Sequence, residues 1–152
     1  MKYLYTRDDI RSGDLIALSH NRWASWSDVQ VMVIRVFRMT EYSHVGVAWR
    51  ICGRLFILHA IGGGVSITPL SLNLPFYWLP LDQWTPEAEE YALSTVGQRY
   101  SKWQAILAGL GMLRGGTDDR WECAEWANMV LRRCGHDVGD AYTPDELVDR
   151  LS

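Results

Sequence analysis

The chain is poor in the features that mark several protein classes. Its 152 residues include three cysteines, Cys52, Cys123 and Cys134. That number is odd and no pair has CxxC spacing, so neither a disulfide framework nor a zinc knuckle is indicated. On one helix Cys123 and Cys134 would stand roughly 16 Å apart, beyond the reach of a bridge. Lysine is scarce, with only Lys2 and Lys102 among 15 basic residues, and the net charge is −3. Such a balance offers no basic surface for nucleic acid or an anionic membrane. No stretch approaches the roughly 20 uncharged apolar residues of a membrane span, and AILAGLGML is too short. The opening MKYLYTRDDIRSGDLI lacks a basic start followed by an apolar run. No signal peptide is expected, and the chain reads as cytoplasmic as made. Repeats, low-complexity tracts and linkers are also missing, which predicts a single domain over residues 1–152 with a real core.

What is present is ordinary globular composition, 48% hydrophobic and 22% charged, with eight tryptophans. SGDLIALS predicts a short strand approached through Gly13. SDVQVMVIRVFRMT predicts a helix behind the N-cap Ser27. SHVGVAWR and RLFILHAI are two β-type runs joined by a tight turn at Cys52-Gly53. GVSITPLS and FYWLPL predict further strands. TPEAEEYALSTVGQRY opens with Thr85 as cap, Pro86 at the first helical position and acids in the first turn. SKWQAILAGLGML predicts another helix. DDRWECAEWANMVLRRCG has acids in front, Arg132 and Arg133 behind and Gly135 as the stop. TPDELVDRLS is a capped final helix. Strands in the middle and helices later predict an α+β fold, an antiparallel sheet packed against helices.

A turn centred on Cys52-Gly53 sets Gly46 opposite His59. His44, two residues before Gly46, then projects from the same face, diagonal to His59. A one-residue slip would separate the two imidazoles. The small residues Gly46 and Ala48 on that face are expected to let a helix approach closely. Cys123, in WECAEW, is expected in the opening turn of its helix. Unsatisfied N–H groups and the positive dipole end there favour a thiolate and offer donors to an oxyanion. Cysteine, histidine and an orienting group are the minimum set for thiol acyl transfer. Glu125 leaves a helix on the side away from Cys123.

In this order the motifs YSHVGVA, FILHA, TPL and ECAEW, with GDLI before and YTPDEL after, resemble the circularly permuted branch of the NlpC-type papain-like superfamily. That branch includes YiiX-like proteins and lecithin retinol acyltransferase relatives, and the likeness spans roughly residues 12–147. It implies a papain-like fold and cysteine hydrolase activity, with Cys123 as nucleophile, His44 as general base and His59 as orienting residue. Bacterial cell-wall peptide is the implied substrate class. Ala124 stands where the family often has Ser, and His59 where YiiX-like members often have an acid. Delivery by a phage virion or by lysis would reconcile such a substrate with the missing export signal. No cofactor is implied. A zinc site is disfavoured by the lack of an acidic or second cysteine ligand.

Other readings stand beside these. Cys123 can be a core cysteine, and His44 and His59 satisfied sheet histidines. Tyr42 and Trp121 are candidates to line a substrate groove, with packing as the alternative, and the same holds for Trp23, Trp26 and Trp126. His20 is a candidate to reach the cleft from its loop, and His136 is expected to be a solvated loop residue. Gly62-Gly63-Gly64 lacks the Lys-Ser/Thr of a phosphate loop and reads as a turn or bulge. The runner-up functions are a thiol acyltransferase or lipid amidase or esterase, and a non-catalytic module such as a phage tail component.

Overall fold

A computed structural model describes residues 7–19, 42–61, 64–97, 119–141 and 143–152. The helices expected at 27–40 and 101–113 lie outside the described residues, as do His20, Trp23, Trp26, Gly62 and Gly63. Among the described residues five strands form one antiparallel sheet: β1 (Leu15–Ser19), β2 (Tyr42–Ile51), β3 (Arg54–Ile61), β4 (Gly64–Pro69) and β5 (Tyr77–Leu79). Their order is β4-β3-β2-β1-β5. Helices α1 (Pro86–Thr95), α2 (Asp119–Arg133) and α3 (Pro144–Leu151) follow, and a short 3₁₀ turn, Leu70–Leu72, links β4 to β5. The α+β class and the antiparallel sheet are as expected. Among the described residues no helix is long and apolar enough to cross a membrane.

Alternation along the strands explains the layering. Leu15 and Ala17 of β1, Val45, Val47 and Trp49 of β2, and Leu58 and Ala60 of β3 join a buried cluster with Ala88, Ala92, Trp126, Val130, Leu131 and Leu147 of the helices. The alternate residues Ile16, Leu18, Ala48, Leu55 and Ile57 form a second cluster with Ile10, Leu70 and Phe76. Helices therefore cover one face, and the segments around Ile10 and 70–76 cover part of the other. Full burial of a Leu or Ile side chain stabilises by about 1.5–3 kcal/mol, which ties the pairing register to the core: a slip of one residue would exchange the two layers.

Local chemistry sets the ends of the elements. Cys52 and Gly53 have φ of 49° and 72°, the positive pair a two-residue type I′ hairpin needs. The Thr85 side chain accepts from the Ala88 N–H at 3.1 Å and donates to the Arg133 carbonyl at 2.7 Å, satisfying orphan groups of α1 and α2 together. Trp126 Nε1 donates to Thr95 Oγ1 at 3.0 Å, a second tie between these helices. Thr143 and Glu146 form a full capping box at α3. His136 N–H reaches the Leu131 carbonyl at 3.1 Å around Gly135, which ends α2 as expected.

β1 begins at Leu15, three residues later than Ser12, because Gly13 is not extended. Its φ is 95°, and a Cβ there would lie 2.1 Å from the Gln83 carbonyl oxygen. The turn delivers Asp14, fully buried, to four donors. Its Oδ2 accepts from the Arg11 N–H at 2.8 Å and Trp78 Nε1 at 2.9 Å. Its Oδ1 accepts from the N–H groups of Leu81 at 2.9 Å and Asp82 at 3.3 Å. One carboxylate thus fastens the start of β1 to the exit of β5.

Candidate active site

The hairpin register is the one its turn implies. Val47 pairs with Leu58, Ala48 with Ile57, and so on to Ile51 with Arg54. His44 faces Leu18 on β1, and His59 faces Ser66 on β4. Both imidazoles leave the sheet on the Ile16, Leu18 and Ile57 side, where His44 Nε2 and His59 Nδ1 lie 2.8 Å apart. The rings meet edge to face, with centroids 4.9 Å apart and planes at 62°. His59 is buried and His44 half-buried. One ring nitrogen of each is committed to the other, which restricts the tautomers both can adopt.

The chain of bonds continues inward. His59 Nε2 is 3.1 Å from Thr68 Oγ1. Asn73 Nδ2 donates to Thr68 Oγ1 at 3.0 Å and to the Pro69 carbonyl at 3.0 Å. Four side chains from β2, β3, β4 and the turn after the 3₁₀ helix form a single hydrogen-bonded line. Ser66, opposite His59, buries its hydroxyl oxygen with no hydrogen-bond partner among the described residues.

The expectation that Gly46 admits a helix is not met. A Cβ at Gly46 would lie 2.7 Å from Ile57 Cγ1 and 2.7 Å from the Leu58 carbonyl oxygen. The close neighbour is β3 itself, since the helices pack on the other side of the sheet. Glycine here lets the hairpin strands approach beside the histidine pair.

Cys123 sits in α2, which packs on β2 and β3, and it exposes no surface. It belongs to the buried cluster that includes Val45, Val47, Leu58 and Ala60. None of the three cysteines is in a disulfide. The described part of the helix opens at Asp119, so Cys123 stands past the first turn rather than within it. Its own N–H is not among the groups that lack an intrahelical acceptor, and the dipole acts on it more weakly. Its Cβ points back toward the helix N-terminus, which sets the sulfur over the first turn. Glu125 is half-buried, and desolvation raises its carboxyl pKa.

By strand alternation the imidazoles and the α2 layer occupy opposite faces of the sheet. The alternation shifts at the end of β2. There a bulge pairs Leu18 with His44 and Ser19 with Tyr42, leaving Ser43 as the extra residue. The shift carries Tyr42 to the helix side, where it packs against the main core. Its N–H donates to Asp145 Oδ1 at 2.8 Å, and its ring lies 5.5 Å from that of Tyr77. Bulges of this kind re-aim neighbouring side chains and are over-represented beside active sites.

The structure therefore joins His44 to His59 and places Tyr42 two residues away as a packed aromatic. The Trp121 side chain lies outside the described residues. His136 is not solvated as expected: it is half-buried, its Nε2 is buried with no hydrogen-bond partner among the described residues, and desolvation lowers its pKa. Thr68 and Asn73 have no precedent in the sequence reading beyond the TPL motif, which gave Thr68 no role. Its period-2 position relative to Ser66 was the available signal. Among the described residues no three His, Cys, Asp or Glu side chains are grouped to hold a metal ion. No protein-family model matches the chain, and no curated protein matches it.

Proposed function

We propose that the chain is a papain-like thiol hydrolase of permuted NlpC type that cleaves an amide bond, with bacterial cell-wall peptide as the substrate class. The observation that carries this reading is the 2.8 Å contact between His44 and His59, extended to Thr68 and Asn73. An imidazole held by a second imidazole has a defined orientation, as a general base requires. The order of His44, His59 and Cys123 in the chain and the bulge beside His44 support it further.

The mechanism requires the thiol of Cys123 and the imidazole of His44 to meet around the bulged end of β2. His44 takes the thiol proton and the thiolate attacks the carbonyl carbon. The tetrahedral oxyanion is held by N–H groups of the first turn of α2. Its collapse breaks the C–N bond, and His44 returns its proton to the leaving amine. Water, activated by His44, then releases the acid from the thioester.

One observation favours a different reading, a non-catalytic module that keeps the fold: Cys123 is fully buried in an apolar cluster. Buried structural thiols are inert. The two readings part on one experiment. Wild type and Cys123→Ala are incubated with purified peptidoglycan, and also with acyl-lipid substrates, and products are read by mass spectrometry. Iodoacetamide labelling against pH is run beside it. A hydrolase releases new peptide termini only with Cys123 present. It also alkylates Cys123 below pH 8, well under the ordinary thiol value of about 8.5, and His44→Ala moves that reactivity to higher pH. Identical products from both proteins, with uniformly slow thiols, leave the structural module.

A further inference from the structure

We propose that Thr68 and Asn73 set the direction of the proton chain through the histidine pair, and that the Thr68 hydroxyl is the switch on which base action at His44 depends. The atom of Asn73 that lies 3.0 Å from the Pro69 carbonyl oxygen has to be nitrogen, because an amide oxygen cannot donate there. The same nitrogen lies 3.0 Å from Thr68 Oγ1. The hydroxyl oxygen therefore accepts from Asn73. Among the described residues its other side-chain partner is His59 Nε2, 3.1 Å away. A hydroxyl that accepts one bond and holds one proton is best used by donating that proton, so His59 Nε2 is the acceptor.

The remaining steps follow from the tautomers of neutral imidazole. With Nε2 accepting, His59 carries its proton on Nδ1 and donates to His44 Nε2. His44 then carries its own proton on Nδ1. Every donor points one way, from Asn73 through Thr68 and His59 to His44, and such aligned chains strengthen each member. In this order the second ring nitrogen of His44, Nδ1, is a donor. To become a base it has to lose that proton. The balanced change has four transfers: His44 Nδ1 releases a proton to solvent, His59 Nδ1 passes one to His44 Nε2, Thr68 passes one to His59 Nε2, and Thr68 takes one from solvent. Thr68 ends with its hydroxyl turned away from His59 and its oxygen accepting from it.

The direction of the chain is set at Thr68 by Asn73 and His59, whereas its consequence for hydrolysis rests on the function proposed above. Thr68 and Asn73 are positioning residues, acting on His44 through His59. The test reads tautomers directly, by ¹⁵N resonances of labelled histidine side chains. The measurement is made about two units above the ordinary imidazole pKa of about 6.5, with His59 assigned by His59→Gln. In the unmodified protein His59 Nδ1 appears as a protonated nitrogen and Nε2 as an unprotonated one. Asn73→Asp replaces a donor with a group that only accepts, so Thr68 turns its proton to Asp and the His59 pattern inverts. Thr68→Ser keeps the wild-type pattern, and Asn73→Asp in a Thr68→Val background produces no inversion. A protonated Nε2 in the unmodified protein overturns the proposal without any variant, and so does an unchanged pattern in a folded Asn73→Asp protein. Because these spectra do not involve Cys123, an inactive protein with the expected tautomers would sink the hydrolase reading while leaving the chain direction in place.

Discussion

Replacing Asp14 by Asn tests how much one buried group holds the sheet together. Asp14 is fully buried and its two oxygens each accept two N–H groups, from Arg11 and Trp78 on one side and from Leu81 and Asp82 on the other. Asparagine keeps one oxygen. Whichever pair that oxygen serves, the amide NH₂ faces the remaining two donors and satisfies neither. Hydrogen bonds to a charged group are worth about 1.5–3 kcal/mol each, and a buried donor left without a partner costs about 1–3 kcal/mol. The Asp82 bond is long at 3.3 Å, so the lower end applies on that side. The expected loss is about 3–5 kcal/mol, against a total of about 5–15 kcal/mol for a domain. At this chain length that is roughly a 10 °C fall in melting temperature. Urea unfolding followed by tryptophan fluorescence reads it, with a lower midpoint and an unchanged slope. A loss below about 1 kcal/mol would mean that the four contacts do not fasten β1 to β5, and the account of the strand's start would be wrong.

Three further outcomes are expected. Cys52→Asn relieves a side chain held at φ 49° in a type I′ turn that favours Asn-Gly. It should stabilise the chain by about 0.5–1 kcal/mol, and a lower urea midpoint would contradict the turn assignment. Ser66→Ala removes a buried hydroxyl oxygen that has no hydrogen-bond partner among the described residues, so calorimetry should show stability unchanged or raised by up to about 1 kcal/mol, and a clear loss would reveal a bond that the arrangement does not contain. The pKa of His136 is depressed from its ordinary 6.5 by burial. Its neutral form stabilises the fold above that value, and the contribution is lost as pH falls below 6.5 through the folded pKa. Melting temperature against pH should fall in that window less steeply in His136→Gln than in wild type, and parallel curves would refute the assignment.

Much of the candidate site was legible because the information is local. A two-residue turn at Cys52-Gly53 and strict alternation are enough to bring His44 and His59 to one face. Capping residues likewise announce α1 and α3, since Thr85-Pro86 and Thr143-Pro144 act within four residues. The role of Gly46 was misread for a physical reason. A gap beside a small residue has no label in the sequence, and only the packing of Ile57 reveals that β3, not a helix, occupies it. His136 was misread similarly, because burial of a loop residue depends on what folds over it.

Sequence alone determined the described strands and helices, the hairpin register and the pairing of imidazoles, all of which follow from backbone periodicity and turn geometry over a few residues. Tertiary structure decided the rest. It placed β1 between β2 and β5, gave the helices one face of the sheet and the histidines the other, and moved Tyr42 across at the Ser43 bulge. It also brought Asn73, Thr68, His59 and His44 into line from four separate segments. Hydrogen bonds between groups distant in sequence have no periodicity to announce them, so they exist for a reader only once the chain has closed on itself.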